Sequence, residues 1–307
     1  MALPLFTDVA VFNRDVLFGL VDQATKVTPE ITTIGWRNVP GTYYDTLVLT
    51  TDPVVGFRAV NTGSVGVHST YVNNKIQCSL LNPRWECDKA VAEASIWGAE
   101  AYIALEAQRL MRATFLTLAK QTYYGTTADA NGFPGLQSQV DSSMVVDAQG
   151  TTSSTGSSVY IVAAENPDDL SYVLGGNGAL QITDVRLGDI VDGSGNRFTA
   201  FIQDATLWTG LQLGHKLAVA RIKNITEDTN HTLTDSMIYQ ALSAFPAILK
   251  PSAIFMTGRS MRQLRQSRTT YNPLGTPAPI PSFVEGYAGA NIPIHRTEAI
   301  SNTETIA

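Results

Sequence analysis

The chain has 307 residues, 44% of them hydrophobic and 16% charged, with a formal net charge of −6. That supplies apolar content for one large domain or two medium ones, and the acidic balance argues against free-standing nucleic-acid binding, which needs a basic surface. A charged fraction below the usual quarter of a soluble domain suits a chain whose surface is partly given to other subunits. The first residues lack the basic and apolar regions of a secretion signal, and no run approaches the roughly 18 apolar residues of a membrane span, so the chain reads as cytosolic at synthesis. Cys78 and Cys87 form no zinc pattern and read as buried thiols.

Residues 1–40 hold one amphipathic stretch, 15–24, among Pro4, Pro29 and Pro40. Such a segment cannot enclose a core and reads as an arm lying on something else. Residues 41–81 turn to β: 46–50 and 54–57 are strand-like, and 71–80 alternate. The small, Gly-punctuated residues 58–68 between them read as the tip of a long hairpin, which would project beyond a compact body. A short helix is predicted at 88–94. The next, 98–124, sets Ile103, Ala107, Leu110, Met111, Thr114, Phe115 and Leu118 on one face as a rod of about 36 Å, stopped by Gly125. Residues 126–158 read as loop. Residues 159–225 read as one β-block, with strands at 158–163, 170–174, 182–191, 197–204 and 217–223 and a hairpin turn at Asp192-Gly-Ser-Gly-Asn196. The last block is α/β. Thr234 can cap a helix with Met237, Ile238, Ala241, Leu242 and Phe245 inward, 253–256 is a buried strand, and a second helix near Arg259 turns Met261 and Leu264 inward. Four prolines between 273 and 281 mark a loop, and Ile292-Pro-Ile294 a last strand.

Chemistry-bearing patterns are sparse. Gly63-Ser-Val-Gly66 is not a nucleophile elbow, since the spacing is one short and no helix follows. His68, His215, His231 and His295 are scattered and turn-like, without metal-ligand spacing. Gly175-Gly-Asn-Gly178 lacks the Lys-Ser/Thr of a phosphate loop, and Asp168-Asp169 after Asn166-Pro167 reads as a turn. No catalytic, cofactor or metal site is expected, and the chain is not expected to be an enzyme. Arg259, Arg262, Arg265 and Arg268 recur every third residue along one helix; with Arg58 at the hairpin tip they could contact another subunit or face DNA phosphates, or simply form a solvated face.

The order of arm, long hairpin, long helix, β-block and α/β block resembles major capsid proteins of tailed bacteriophages, which share an α+β fold with encapsulins and the herpesvirus capsid floor. Local text is similar too: residues 15–30 look like the arm of a podophage-type subgroup, as do Phe133-Pro-Gly-Leu136, Asn177-Gly-Ala-Leu180 and Ala253-Ile-Phe-Met-Thr-Gly-Arg-Ser260. The resemblance implies an N-arm (1–40), an E-loop (41–82), a P-domain (83–135 and 159–225, its spine helix about 98–124) and an A-domain with C-terminal tail (226–307). Because 159–225 precede the last block, the P- and A-domain order looks rearranged.

The function implied is self-assembly into an icosahedral shell around double-stranded DNA, held non-specifically, with the chain meeting itself in hexamers and pentamers. A portal, a separate scaffolding protein (or a cleaved extension) and a possible decoration protein are the other implied partners. No membrane is involved, and the shell would assemble in the host bacterial cytoplasm. Some relatives join subunits through a Lys–Asn isopeptide bond; residues 27–74 contain no lysine, so none is expected here. Deletion of residues 1–30 is expected to leave a folded subunit that cannot form shells. An encapsulin compartment and a β-rich tail or adhesin component are the alternatives.

Overall fold

The computed structural model describes residues 28–96, 98–176, 178, 180–269, 283–284 and 291–306. The predicted stretch at 15–24, the prolines from 273 to 281 and the Arg268 side chain lie outside the described residues, as do Asn177 and Ala179 of two quoted motifs.

The described chain opens with helix α1 (Glu30–Thr33) and strand β1 (Gly35–Asn38). A hairpin of β2 (Tyr43–Thr51) and β3 (Thr70–Gln77) follows, then β4 (Ser79–Leu81) and β5 (Arg84–Asp88). Asp88 caps the short α2 (Lys89–Glu93) by accepting from the Ala90 N–H, which satisfies one of the orphan donors of a helix start. Helix α3 (Ala99–Tyr124) is the long predicted one. It stops at Gly125, whose φ is +56° and where a Cβ would stand 2.0 Å from the Gly135 nitrogen. Only glycine permits both that conformation and that backbone approach.

Past helix α4 (Leu136–Gln139) the strands are β6 (Val145–Asp147), β7 (Ser157–Val162), β8 (Leu170–Leu174), β9 (Gln181–Ile182), β10 (Arg186–Val191), β11 (Arg197–Leu213) and β12 (Val219–Ile225). The chain ends through α5 (Asp235–Ser243), β13 (Ala253–Met256), α6 (Gly258–Thr269), β14 (Phe283–Val284), β15 (Asn291–Ile292) and β16 (Ile294–Arg296).

Two sheets organise the body. The first is built on β11, a 17-residue strand that pairs along its length with β10, β5, β9, β4 and β8; β8 in turn pairs with β1 in parallel. The second runs β16-β13-β7-β12-β6. Residues 159–225, read as one block, are therefore divided: β7 and β12 join β13 in the second sheet, while β8 to β11 belong to the first. The reason is visible in burial. Every residue of β7 and β13 is buried, so both faces are covered, and an unbroken apolar run does not say which sheet it enters. Tyr160, Val162 and Phe255 face a core with Leu118, Tyr123, Leu170 and Tyr172. Val159, Ile161, Ile254 and Met256 face the other way, against Ile238, Leu242 and Leu264 of α5 and α6.

Three further expectations need correction. Residues 30–39, assigned to an arm, are built into the body: Ile34 is in the core, and β1 pairs with β8. Phe115 is exposed and only Tyr102 is buried in the first half of α3. A 26-residue helix is about 39 Å long and outruns the body, so its first half rests only on the small cluster of Trp85, Cys87, Ala92 and Tyr102. The last predicted strand is two. Pro293 separates β15 from β16, and its carbonyl accepts from the Ile254 N–H at 3.0 Å; proline has no N–H of its own to extend a ladder.

Candidate subunit interface

The hairpin stands on a defined root. Val39, Ile76, Cys78 and Val173 are buried there with Tyr44 and Trp208 packed against them. Arg37 of β1 braces it: Nη1 donates to the Tyr44 hydroxyl at 2.8 Å, and Nη2 pairs with the Asp168 carboxylate. That pairing, foremost among the causes, raises the Arg37 pKa. Cys78 and Cys87 are both free and buried; burial and the nearby Glu106 and Asp88 carboxylates push the Cys87 thiol up to about 11, so it stays protonated and unreactive.

Beyond the root the hairpin is bare. The register places Leu47 opposite Asn73, Val48 opposite Val72 and Leu49 opposite Tyr71, so Leu47, Leu49 and Tyr71 share one face and Val48 and Val72 the other. Leu47 is 74% exposed and Phe57 fully so, with Val54, Val55, Val60 and Val65 exposed around the tip. The strand predicted at 54–57 is absent. Residues 52–69 pair with no strand among the described residues, Pro53 removes a donor, and the chain turns at Val60 and Asn61, the latter with φ of 66°. Arg58 donates to the Thr62 carbonyl inside this tip. Two strands alone are marginal in water, and an apolar surface of this extent is the mark of an interaction site. Where β2 leaves the body, a cleft of about 430 Å³ separates it from Asp168, Asp169, Gln212 and His215.

The arginine row of α6 does not act as one face. Arg259 turns inward, its Nη2 donating to the Thr155 and Ile225 carbonyls and its Nη1 to that of Asn302. Burial lowers its pKa. Arg262 pairs with Glu227, and Arg265 is exposed. Residues three apart drift around a helix by about 60° per step, which carries the first of the series into the body.

Two acidic residues escaped sequence reasoning. Glu304 accepts from Tyr124 (2.7 Å), Ser158 (2.6 Å) and Arg221 (3.3 Å), tying the C-terminal segment to α3 and the second sheet. Glu30 is fully buried against Tyr123 of α3. Each pairs with residues 83 or more positions away, which no local spacing can reveal. The remaining candidates are structural. His215 accepts from the Leu217 N–H, His231 meets the Ala148 carbonyl, and His295 stacks on Phe255 from strand β16, not from a turn. Asp168 and Asp169 lie in the turn closed by the Asp169 N–H on the Asn166 carbonyl. Among the described residues no group of three or more His, Cys, Asp or Glu could hold a metal, and no helix is long and apolar enough to cross a membrane.

Comparison with known proteins bears on this geometry. A chain in the structure of bacteriophage Epsilon15 is similar with a TM-score of 0.69 and 18% identity, over 100% of this chain and 98% of that one. A chain of Mycobacterium phage Adephagia gives 0.52 at 9% identity over 72% of this chain and 98% of its own, and one of Mycobacterium phage Cain 0.50 at 10% over 69% and 93%. These likenesses show a shared fold, α+β in this chain. No curated protein matches in sequence. The sequence model of the family described as Major capsid protein GP7 matches residues 30–307, nearly the whole chain. The chain belongs to that family and is a tailed-phage major capsid protein.

Proposed function

We propose that this chain is the repeating subunit of an icosahedral head that encloses double-stranded DNA, and that its hairpin, residues 43–77, is laid over a neighbouring copy. The observation that carries this reading is the hairpin itself: apolar on both faces, rooted on a buried cluster, and with its outer part left exposed among the described residues. Only a second copy of the chain, repeated in rings of six and five, would bury every hairpin in the same way, the heterologous closure that builds shells. On this reading residues 41–82 are the E-loop, α3 is the spine of the P-domain, and α5, β13 and α6 belong to the A-domain. The N-arm ends by residue 29, since residues 30–39 are part of the body. Of the candidate arginines with described side chains, Arg58, Arg262 and Arg265 are exposed and available to subunit or DNA contacts, whereas Arg259 serves the interior. Scaffold, portal and any decoration protein would meet the assembled shell, formed in the host cytoplasm.

The test is expression of the full chain alone and with a candidate scaffold, followed by negative-stain electron microscopy. Closed, thin-walled shells support the reading; discrete small oligomers under every condition refute it. An arm deletion for the same assay should stop at residue 27, because removing residues 1–30 would delete a fully buried side chain from the core.

A further inference from the structure

Glu30 occupies a place in which a carboxylate is costly. It is the first residue of α1, and its side chain is fully buried where three elements meet: α1 itself, the end of α3, and the segment after β16. Oε1 accepts from the Tyr123 hydroxyl at 2.8 Å. Oε2 has no hydrogen-bond partner among the described residues. The groups that face this site are hydroxyls: Tyr123 from α3, Thr297 from the C-terminal segment, and the rings of Tyr160 and Tyr172 from β7 and β8 beyond. Among the described residues no lysine, arginine or histidine pairs with it. An ionised carboxylate here would sit in a low-dielectric core with only neutral hydrogen-bonding groups beside it and no counter-charge among the described residues, which is unfavourable by several kcal/mol. The neutral acid fits instead, its own O–H free to find an acceptor. Desolvation accordingly raises the Glu30 pKa, only partly opposed by the hydroxyls around it.

The location gives this acid leverage. Glu30 lies at the point where the N-terminal residues join the body. The elements that follow are bolted in by apolar contacts: Ile34 is buried, and Trp36 stacks on Tyr172 with centroids 4.5 Å apart. The α1 turn before them is four residues long with no side-chain cap, too short to hold itself. It is held by Glu30, by Ile31, which packs against the core, and by Trp36, whose Nε1 donates to the Ile31 carbonyl at 2.9 Å.

We propose that Glu30 is a proton-operated latch: neutral, it pins α1 into the core, and on ionisation it releases residues 28–33 while β1 stays paired. This goes beyond the shell reading and does not depend on it, because the latch lies within one protomer. In a shell the same event would change where the N-terminal segment leaves the body.

The experiment is hydrogen exchange on the purified full chain, corrected for intrinsic exchange rates, from about pH 5 to pH 9, the range buried glutamates reach. Peptides covering 28–34 should lose protection at least about tenfold, roughly 1.4 kcal/mol of local opening, in one step as pH rises. Peptides of β1 and β8 should not. Glu30→Gln, neutral and of the same shape, should remove the step. Tyr123→Phe should move its midpoint to higher pH, because it deletes a hydrogen bond that favours the charged form; a merely structural contact would lower protection without moving a midpoint. A wild-type profile without a step, or the same step in Glu30→Gln, overturns the proposal. If Glu30→Gln does not fold, the Tyr123→Phe midpoint decides: unchanged, the latch is rejected.

Discussion

Substituting Glu304 by alanine should be among the most destabilising single changes in the chain. The Glu304 and Arg221 side chains are 9% and 11% exposed and paired at 3.3 Å. Arg221 also donates to Ser158 at 3.0 Å and lies 5.7 Å from the Tyr160 ring centre. Removing the carboxylate leaves the guanidinium uncompensated and takes the acceptor from Tyr124 and Ser158. Breaking one side of a buried pair costs about 3–5 kcal/mol, and the orphaned hydroxyls keep the value in the upper part of that range. Urea denaturation of the full chain, under conditions that keep it unassembled, would read this as a lower midpoint at unchanged slope. Glu304→Gln, which keeps an acceptor, should lose less. Glu304→Ala combined with Arg221→Met should lose less than the sum of the two single changes, by about 0.5–3 kcal/mol of coupling. A loss of under about 0.5 kcal/mol for Glu304→Ala, the scale of ordinary surface substitutions, would refute the view that the C-terminal segment clasps the body.

Leu264→Ala removes a fully buried side chain between α6 and the second sheet and should cost about 2–5 kcal/mol by the same denaturation assay. Gly125→Ala places a methyl 2.0 Å from the Gly135 nitrogen at a positive φ and should cost at least about 2 kcal/mol, seen as a lowered Tm. The raised pKa of Glu30 means the folded chain holds that proton more tightly than the unfolded chain. Its contribution to stability is therefore full below the ordinary glutamate value and is lost as pH rises through the folded-state value, whereas Glu30→Gln should give a flatter stability profile over that window.

Much of the fold was legible because its signals are local. The 3.6-residue period of α3 declares its element, and the apolar run of β13 and the inward set Ile238, Ala241 and Leu242 of α5 declare both element and buried face, all within about 25 residues. What was not legible depends on partners distant in sequence. β6 is three residues long and exists only because β12 lies beside it. The division of residues 159–225 between two sheets turns on which helices cover β7, and period alone carries no such information. Glu30 and Glu304 look like any surface acids until Tyr123, Arg221 and Ser158 are brought to them. The hairpin was the converse case. Its length pointed to a projection beyond the body, and the structure leaves both faces of the outer part open among the described residues, while the alternation alone could not say what covers them.

The central claim is that the cover is a neighbouring copy. A cryo-electron-microscopy reconstruction of the particles, at a resolution that traces side chains, tests it most directly. The account predicts that Leu47, Leu49, Phe57 and Val72 are buried against the adjacent subunit in every ring. Particles in which residues 43–77 fold back on their own protomer, or stand free in solvent, would contradict it.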